Sequence, residues 1–247
     1  MSAAKVRFSA LSDMGCVRKN NEDMACVDGE LVRDGASEGE VALGATSTAF
    51  AVADGMGGYE GGEVASEIVC RSFRAFMKDF APADEDDFLV KIKAWASEAN
   101  RLVLETAAVR PGLSEMGTTF VGLVFAVGKL WLVNIGDSRC YRLRGGVLKQ
   151  LSKDHSERER TGDPDTPSNL IYNFMGNPPE YFISDITRLS PVGGDVYILC
   201  SDGLSDMVDD ETIEALAESP GALVAKAKEA GGRDNVTVIS LRYDTVG

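Results

Sequence analysis

Four stretches of this chain join an apolar run to an aspartate set among small, turn-forming residues. They are Phe50-Ala51-Val52-Ala53-Asp54-Gly55, Leu132-Val133-Asn134-Ile135-Gly136-Asp137, Tyr197-Ile198-Leu199-Cys200-Ser201-Asp202-Gly203 and Gly231-Gly232-Arg233-Asp234-Asn235-Val236, the last with its strand after the acid. A buried strand with an acid at its tip places a carboxylate at the rim of a core, and glycine beside it lets another group come close. Any one such aspartate is equally well read as a cap or turn former. Four together are not. Converging carboxylates would repel one another unless cations sat among them, and hard ions such as Mg²⁺ or Mn²⁺ take these oxygen ligands and keep waters besides. The pattern points to metal-assisted hydrolysis.

At 247 residues, 44% of them hydrophobic and 26% charged, the composition is that of an ordinary soluble globular protein, and nothing marks a break in 1–247 into two domains. A net charge of −14 argues against nucleic acid or anionic lipid as the main partner, since polyanions need a basic face. The first residues carry no apolar h-region, and no stretch approaches the roughly 18 apolar residues of a membrane helix. The five cysteines lack metal-site spacing and none has an arginine six positions on, which excludes the loop of cysteine-dependent phosphatases. They read as reduced core thiols of a cytoplasmic protein.

Periodicity predicts strands over 6–12, 24–28 and 48–53, an exposed loop over 31–47, and a one-faced helix carrying Val64, Ile68, Phe73 and Phe76. A second helix is expected over 86–107, then four short strands between 118 and 151 forming an antiparallel meander. Proline-rich 156–180 is the candidate mobile flap. Strands at 181–188 and 195–201, short helices near 209–217 and 220–230, and a strand at 235–243 complete the chain. Blocks of strands and helices without strict alternation indicate an α+β fold with stacked antiparallel sheets and helices outside.

The glycine-rich turn 54–62 does not keep the spacing of a dinucleotide fingerprint, and no phosphate-binding P-loop occurs. A phosphoaspartyl-forming hydrolase would want a second aspartate two positions from Asp54, where Val52 and Met56 stand. An ordered series does emerge: Arg18 with Glu22 and Asp23, Val52-Ala53-Asp54-Gly55-Met56-Gly57-Gly58, Met116-Gly117-Thr118-Thr119, Gly136-Asp137-Ser138-Arg139, Asp154-His155-Ser156, Ser201-Asp202-Gly203-Leu204 and Arg233-Asp234-Asn235-Val236-Thr237. This series resembles the metal-dependent serine/threonine protein phosphatases of the PP2C (PPM) type in their short bacterial form, over almost the whole chain.

The resemblance implies a four-layer α-β-β-α sandwich of two antiparallel sheets flanked by helices, with a centre of Mn²⁺ or Mg²⁺ at one end. Asp54 would bridge two core ions, the Gly55 carbonyl would bind one, and Asp202 and Asp234 the other. Glu22 and Asp23 would hold metal-bound waters, Asp137 with Asp202 a third ion, and Arg18 the substrate phosphate. The implied reaction is hydrolysis of phosphoserine and phosphothreonine in proteins by direct attack of a metal-bridging water, opposing a kinase, in a monomer. Such chemistry is self-consistent, because two ions can share and activate a water while an arginine fork grips two phosphate oxygens.

Two residues keep bland readings beside the functional ones: Arg18 could form a surface salt bridge with Glu22, and His155, the chain's single histidine, could be purely structural. Many relatives carry a histidine in or just after the D-G-x-G-G turn, where this chain has Met56 and Tyr59. That departure is all that speaks for a non-catalytic phosphoprotein-binding pseudophosphatase. A phosphodiesterase or nuclease is disfavoured by the acidic balance.

Overall fold

A computed structural model describes residues 4–57, 61–167 and 169–245. In chain order, β1 (Ala4–Asp13), β2 (Met24–Val27), β3 (Glu30–Val32), β4 (Gly35–Leu43), β5 (Thr48–Ala53) and β6 (Gly55–Met56) precede helices α1 (Gly61–Lys78) and α2 (Glu85–Val109). Strands β7 (Gly117–Thr118), β8 (Phe120–Ala126), β9 (Lys129–Ile135), β10 (Arg139–Arg144) and β11 (Val147–Gln150) follow. Then come α3 (Glu157–Thr161), β12 (Asp185–Leu189), β13 (Val196–Cys200), α4 (Asp202–Ser205), α5 (Asp210–Ala215), α6 (Pro220–Glu229) and β14 (Val236–Thr245).

Two six-stranded antiparallel sheets result, ordered β11-β10-β13-β14-β1-β4 and β12-β9-β8-β5-β2-β3, with a small β6-β7 ladder beside them. Successive side chains on a strand face opposite ways, so a strand in the middle of such a stack must be apolar on both faces. In β5, Phe50 and Val52 enter the core between the sheets, while Ala49, Ala51 and Ala53 face α1 and α2. In β13, Tyr197 and Leu199 face the other sheet, while Val196, Ile198 and Cys200 cluster with Ile213 of α5 and with Leu223 and Ala227 of α6. Three apolar layers therefore separate four layers of secondary structure, as the α-β-β-α expectation requires.

Helix α1 buries Ala65, Val69 and Phe73 along one stripe, and α2 buries Phe88, Ile92, Trp95, Ala99 and Val103. Asp84 caps α2 by accepting from the Asp87 N–H, and Glu85, Asp86 and Asp87 stand in its first turn, where the helix dipole favours negative charge. The aromatic knot against the sheet is tight: Phe73, Trp95 and Phe120 have ring centroids 4.8–5.0 Å apart. Among the described residues no helix is long and apolar enough to cross a membrane.

Several expectations need correction. The exposed loop expected over 31–47 is mostly β3 and β4, and β4 pairs with β1 along nine positions, from Ala4↔Leu43 to Ser12↔Gly35. Its polarity is that of an edge strand largely open to solvent, where Glu38 and Glu40 also discourage pairing with another chain. The expected meander splits: β8 and β9 form a hairpin in one sheet, whereas β10 and β11 belong to the other. Gly136, at φ +108°, turns the chain between sheets, and a Cβ there would stand 2.7 Å from the Thr119 side chain. Within the expected flap 156–180, Ser156 bridges Ile171 of the same segment, Met175 bridges Thr118 outside it, and Asn173 and Met175 are fully buried. Four cysteines are buried thiols, but Cys16 is exposed.

Truncating the aromatic knot tests this packing. Phe73→Ala should destabilise the protein by about 3–5 kcal/mol in urea unfolding, the cost of a large cavity in a close-packed core. Val147→Ala, at an exposed position of β11, should stay within about 0.5 kcal/mol of the parent.

Candidate functional site

All the acids singled out in the sequence lie at one end of the sandwich, because the strands of both sheets deliver them there. Asp54 follows β5, Asp137 sits where the chain crosses from β9 to β10, Asp202 opens α4 just after β13, and Asp234 precedes β14. Together with Glu22, Gly55 and Arg18 they line one open cavity of about 400 Å³. Asn20, Met56, Thr119, Asn169 and Ile171 complete much of its wall.

The turns that carry the acids are fixed through the backbone. The Asp54 N–H donates to Thr119 Oγ1 at 3.0 Å, and the Asp54 carbonyl accepts from Thr119 N–H at 2.9 Å and from Thr118 Oγ1 at 2.9 Å. The Thr119 hydroxyl also bonds Ser138 Oγ at 2.7 Å, so one side chain braces the turns bearing Asp54 and Asp137. Gly55 pairs with Thr118, and any Cβ on it would meet the Gly62 carbonyl oxygen at 2.1 Å. Only glycine lets the chain pass there.

Neighbours in an extended segment face opposite ways, and this separates Glu22 from Asp23. Glu22 lines the cavity; Asp23 does not, and lies 1% exposed beneath its floor, accepting from Ser201 Oγ at 2.7 Å. The salt bridge considered between Arg18 and Glu22 is not the one formed. The segment between β1 and β2 is not helical, and the Arg18 guanidinium instead meets Asp234 Oδ2 at 2.6 Å. Tyr59, weighed with Met56 as a replacement for a histidine, lies outside the described residues, whereas Met56 is on the cavity wall.

His155 is drawn away from the chemistry. It is 3% exposed, accepts at Nδ1 from Gly136 N–H at 3.0 Å and from Asn173 Nδ2 at 2.7 Å, and meets Asp185 Oδ2 through Nε2 at 3.1 Å. With two donors on Nδ1, the proton belongs on Nε2. The ring ties the Asp137 turn, segment 156–180 and β12 together, and it does not line the cavity.

Burial and mutual repulsion raise the acids' proton affinity. Burial, then the charges of Asp23, Asp202, Asp137 and Asp234, hold the Asp54 carboxyl well above the ordinary range. Burial first and neighbouring carboxylates second push Asp137 up to about 8, Asp23 to about 7 and Asp202 to about 6. Arg18, hydrogen-bonded to Asp234, is shifted up and stays charged. Among the described residues, five carboxylates and one basic group thus share the lining, a donor set short of positive charge. Among the described residues no three acidic, histidine or cysteine side chains form a ready-made ion cage, so waters and the Gly55 carbonyl would have to complete any coordination. That requirement suits Mg²⁺ or Mn²⁺, which bind through few carboxylates and retain waters.

A carboxyl whose folded pKa is raised contributes stability that is complete below its unfolded pKa and lost as pH climbs through the folded one. For Asp137 that window runs from 3.8 to about 8. In EDTA, the melting temperature of Asp137→Asn minus that of the parent should therefore grow as pH rises across this window. Parallel pH profiles in scanning fluorimetry would contradict the burial of that charge.

This geometry agrees with three comparisons. The profile of the family described as protein phosphatase 2C matches residues 26–233. The serine/threonine protein phosphatase PstP of Mycobacterium tuberculosis is 38% identical over 251 residues, covering 95% of this chain, which itself spans 44% of that protein's length. The serine/threonine phosphatase stp of Listeria monocytogenes is 32% identical over 212 residues, 78% of this chain and 83% of that protein. Among solved structures, the catalytic domain of PstP in complex with two manganese ions superposes with a TM-score of 0.80 at 34% identity, covering 98% of this chain and 99% of that one. The chain belongs to the protein phosphatase 2C family.

Proposed function

We propose that this chain is a metal-dependent protein phosphatase that hydrolyses phosphoserine and phosphothreonine in proteins. The observation that carries the reading is the cavity itself, where five carboxylates and a single guanidinium converge among the described residues. Carboxylates alone would repel a phosphate dianion, so their clustering beside an arginine makes chemical sense once divalent cations lie between them. Asp54, Asp202, Asp234 and the Gly55 carbonyl would hold two Mn²⁺ or Mg²⁺ ions, and Asp137 with Asp202 a third. Bound there, such ions activate a water and offset charge on the phosphoryl group. The manganese in the PstP catalytic domain supports this assignment.

The chain's own residues supply position and charge. Arg18, at the cavity's outer side and 48% exposed, presents a fork that matches two phosphate oxygens. Glu22 would order waters at the wall, while Asp23 acts from below through its charge and its hold on Ser201. Thr119 keeps the Asp54 and Asp137 turns in register. No histidine or lysine lines the cavity among the described residues, so we assign the proton of the departing alkoxide to a water in it. Phosphoproteins modified by a serine/threonine kinase are the partners this chemistry implies. The acidic balance disfavours nucleic acid, and we place the protein in the cytoplasm as a monomer.

Activity on a phosphothreonine peptide should require Mn²⁺ or Mg²⁺ and vanish in EDTA. Asp54→Asn should lower kcat by on the order of 10²–10³, as losing a central electrostatic group does. Asp137→Ala should retain two tightly bound ions by calorimetry yet turn over more slowly. Full activity in verified metal-free protein, or in Asp54→Asn, would refute the reading.

His155→Gln probes the acid step. It should keep most activity on the peptide, with nearly the same mutant-to-parent ratio on p-nitrophenyl phosphate, whose leaving group needs no proton. Selective loss on the peptide would make His155 the acid.

A further inference from the structure

Asn235 is 3% exposed and lies off the cavity wall, yet it holds three points of the segment that carries Arg18. Its Oδ1 accepts the Glu22 N–H at 2.8 Å, and its Nδ2 donates to the Asn20 carbonyl at 2.9 Å and the Met14 carbonyl at 3.0 Å. The amide orientation follows from these partners, because only the nitrogen can serve two carbonyls. Its backbone N–H donates to Asp234 Oδ1 at 2.9 Å, orienting the carboxylate whose other oxygen meets Arg18. The same segment rests directly on the turn before β14: Cys16 N–H donates to the Gly232 carbonyl at 2.8 Å. Gly15, at φ +79°, leaves no room for a side chain, since a Cβ there would lie 2.2 Å from the Asp234 carbonyl oxygen.

We propose that Asn235 is a positioning residue for phosphate binding: it fixes the arch from Met14 to Glu22 so that the Arg18 guanidinium stands over the acidic cavity. This rests on the phosphatase reading above. The arch has no regular secondary structure to hold it, so its three backbone groups depend on this one side chain. An apolar residue at 235 would strand all three. Aspartate would keep the bond to the Glu22 N–H but turn an oxygen toward two carbonyls, so it releases the arch with little change in volume.

Asn235→Asp should raise KM for a phosphothreonine peptide roughly tenfold, the scale of a small displacement of a substrate-holding group, with kcat changed less. The calorimetric Kd of the same peptide should weaken in parallel, a readout that needs no turnover, while Mn²⁺ affinity should hold. In an Arg18→Ala background, Asn235→Asp should add almost nothing, because the two residues act through one contact. Additive effects, an unchanged KM, or Mn²⁺ affinity falling as far as KM rises would each overturn the proposal. If Asn235→Asp does not fold, Asn235→Ser, which leaves a single hydroxyl for the three groups of the arch and adds no charge, should show the same KM rise and the same non-additivity. A parent protein that turns over no phosphopeptide would refute the phosphatase reading; an active parent with indifferent variants would refute the positioning role alone.

Discussion

Carboxylates crowded into one recess repel each other and resist leaving water, and this tension sets the terms for everything around them. Asp54, Asp137 and Asp202, half-buried at the cavity wall, carry raised proton affinities chiefly because they are drawn away from water, and charge from neighbouring carboxylates adds to the shift. A flexible scaffold would relieve the repulsion by moving the acids apart. A sandwich cannot, because each acid is tied to the end of a strand whose two faces are packed. The stability of three apolar layers thereby holds like charges together, poised for cations.

Rigid strands alone would not aim the side chains. A second tier of neutral hydrogen-bonding residues performs that task from in and just beneath the cavity wall. Thr119 braces two turns, Ser201 links the Asp202 turn to Asp23, and Thr237 N–H in turn holds Ser201 Oγ at 3.0 Å. Ser12 Oγ and Thr237 Oγ1 meet at 2.9 Å beneath them, and Asn21 Nδ2 donates to Ser12 at 2.9 Å. Because these groups are small, buried and uncharged, they fix geometry without adding to the repulsion. His155 belongs to the same tier, which explains why a lone buried imidazole sits near the site without entering it.

The strand-tip acids were legible because two signals coincide at each: an apolar run long enough for a buried strand and a turn residue beside the aspartate. The α-β-β-α layering followed from block order and from the resemblance. What local pattern could not reveal depends on partners far away in sequence. Strand β4 looked like a loop because an edge strand facing water has no apolar alternation to display. The crossing at Gly136 looked like one more hairpin turn, since glycine-bearing turns are alike whether the next strand joins the same sheet or the other. Glu22 and Asp23 were grouped as neighbours, and only the direction of the backbone separates them. The Arg18–Asp234 contact joins residues 216 positions apart, so no spacing rule reaches it.

Strands β1 and β14 run antiparallel over ten positions, from Asp13↔Val236 beside the cavity to Ala4↔Thr245 at the far end. At about 3.3 Å per residue, that far end is some 30 Å from the acids. Ala4 and Thr245, being paired neighbours, are only about 5 Å apart. A one-residue slip of this ladder would turn every β1 side chain to the opposite face of its sheet, so its length also keeps Gly15 against the Asp234 carbonyl at the cavity end.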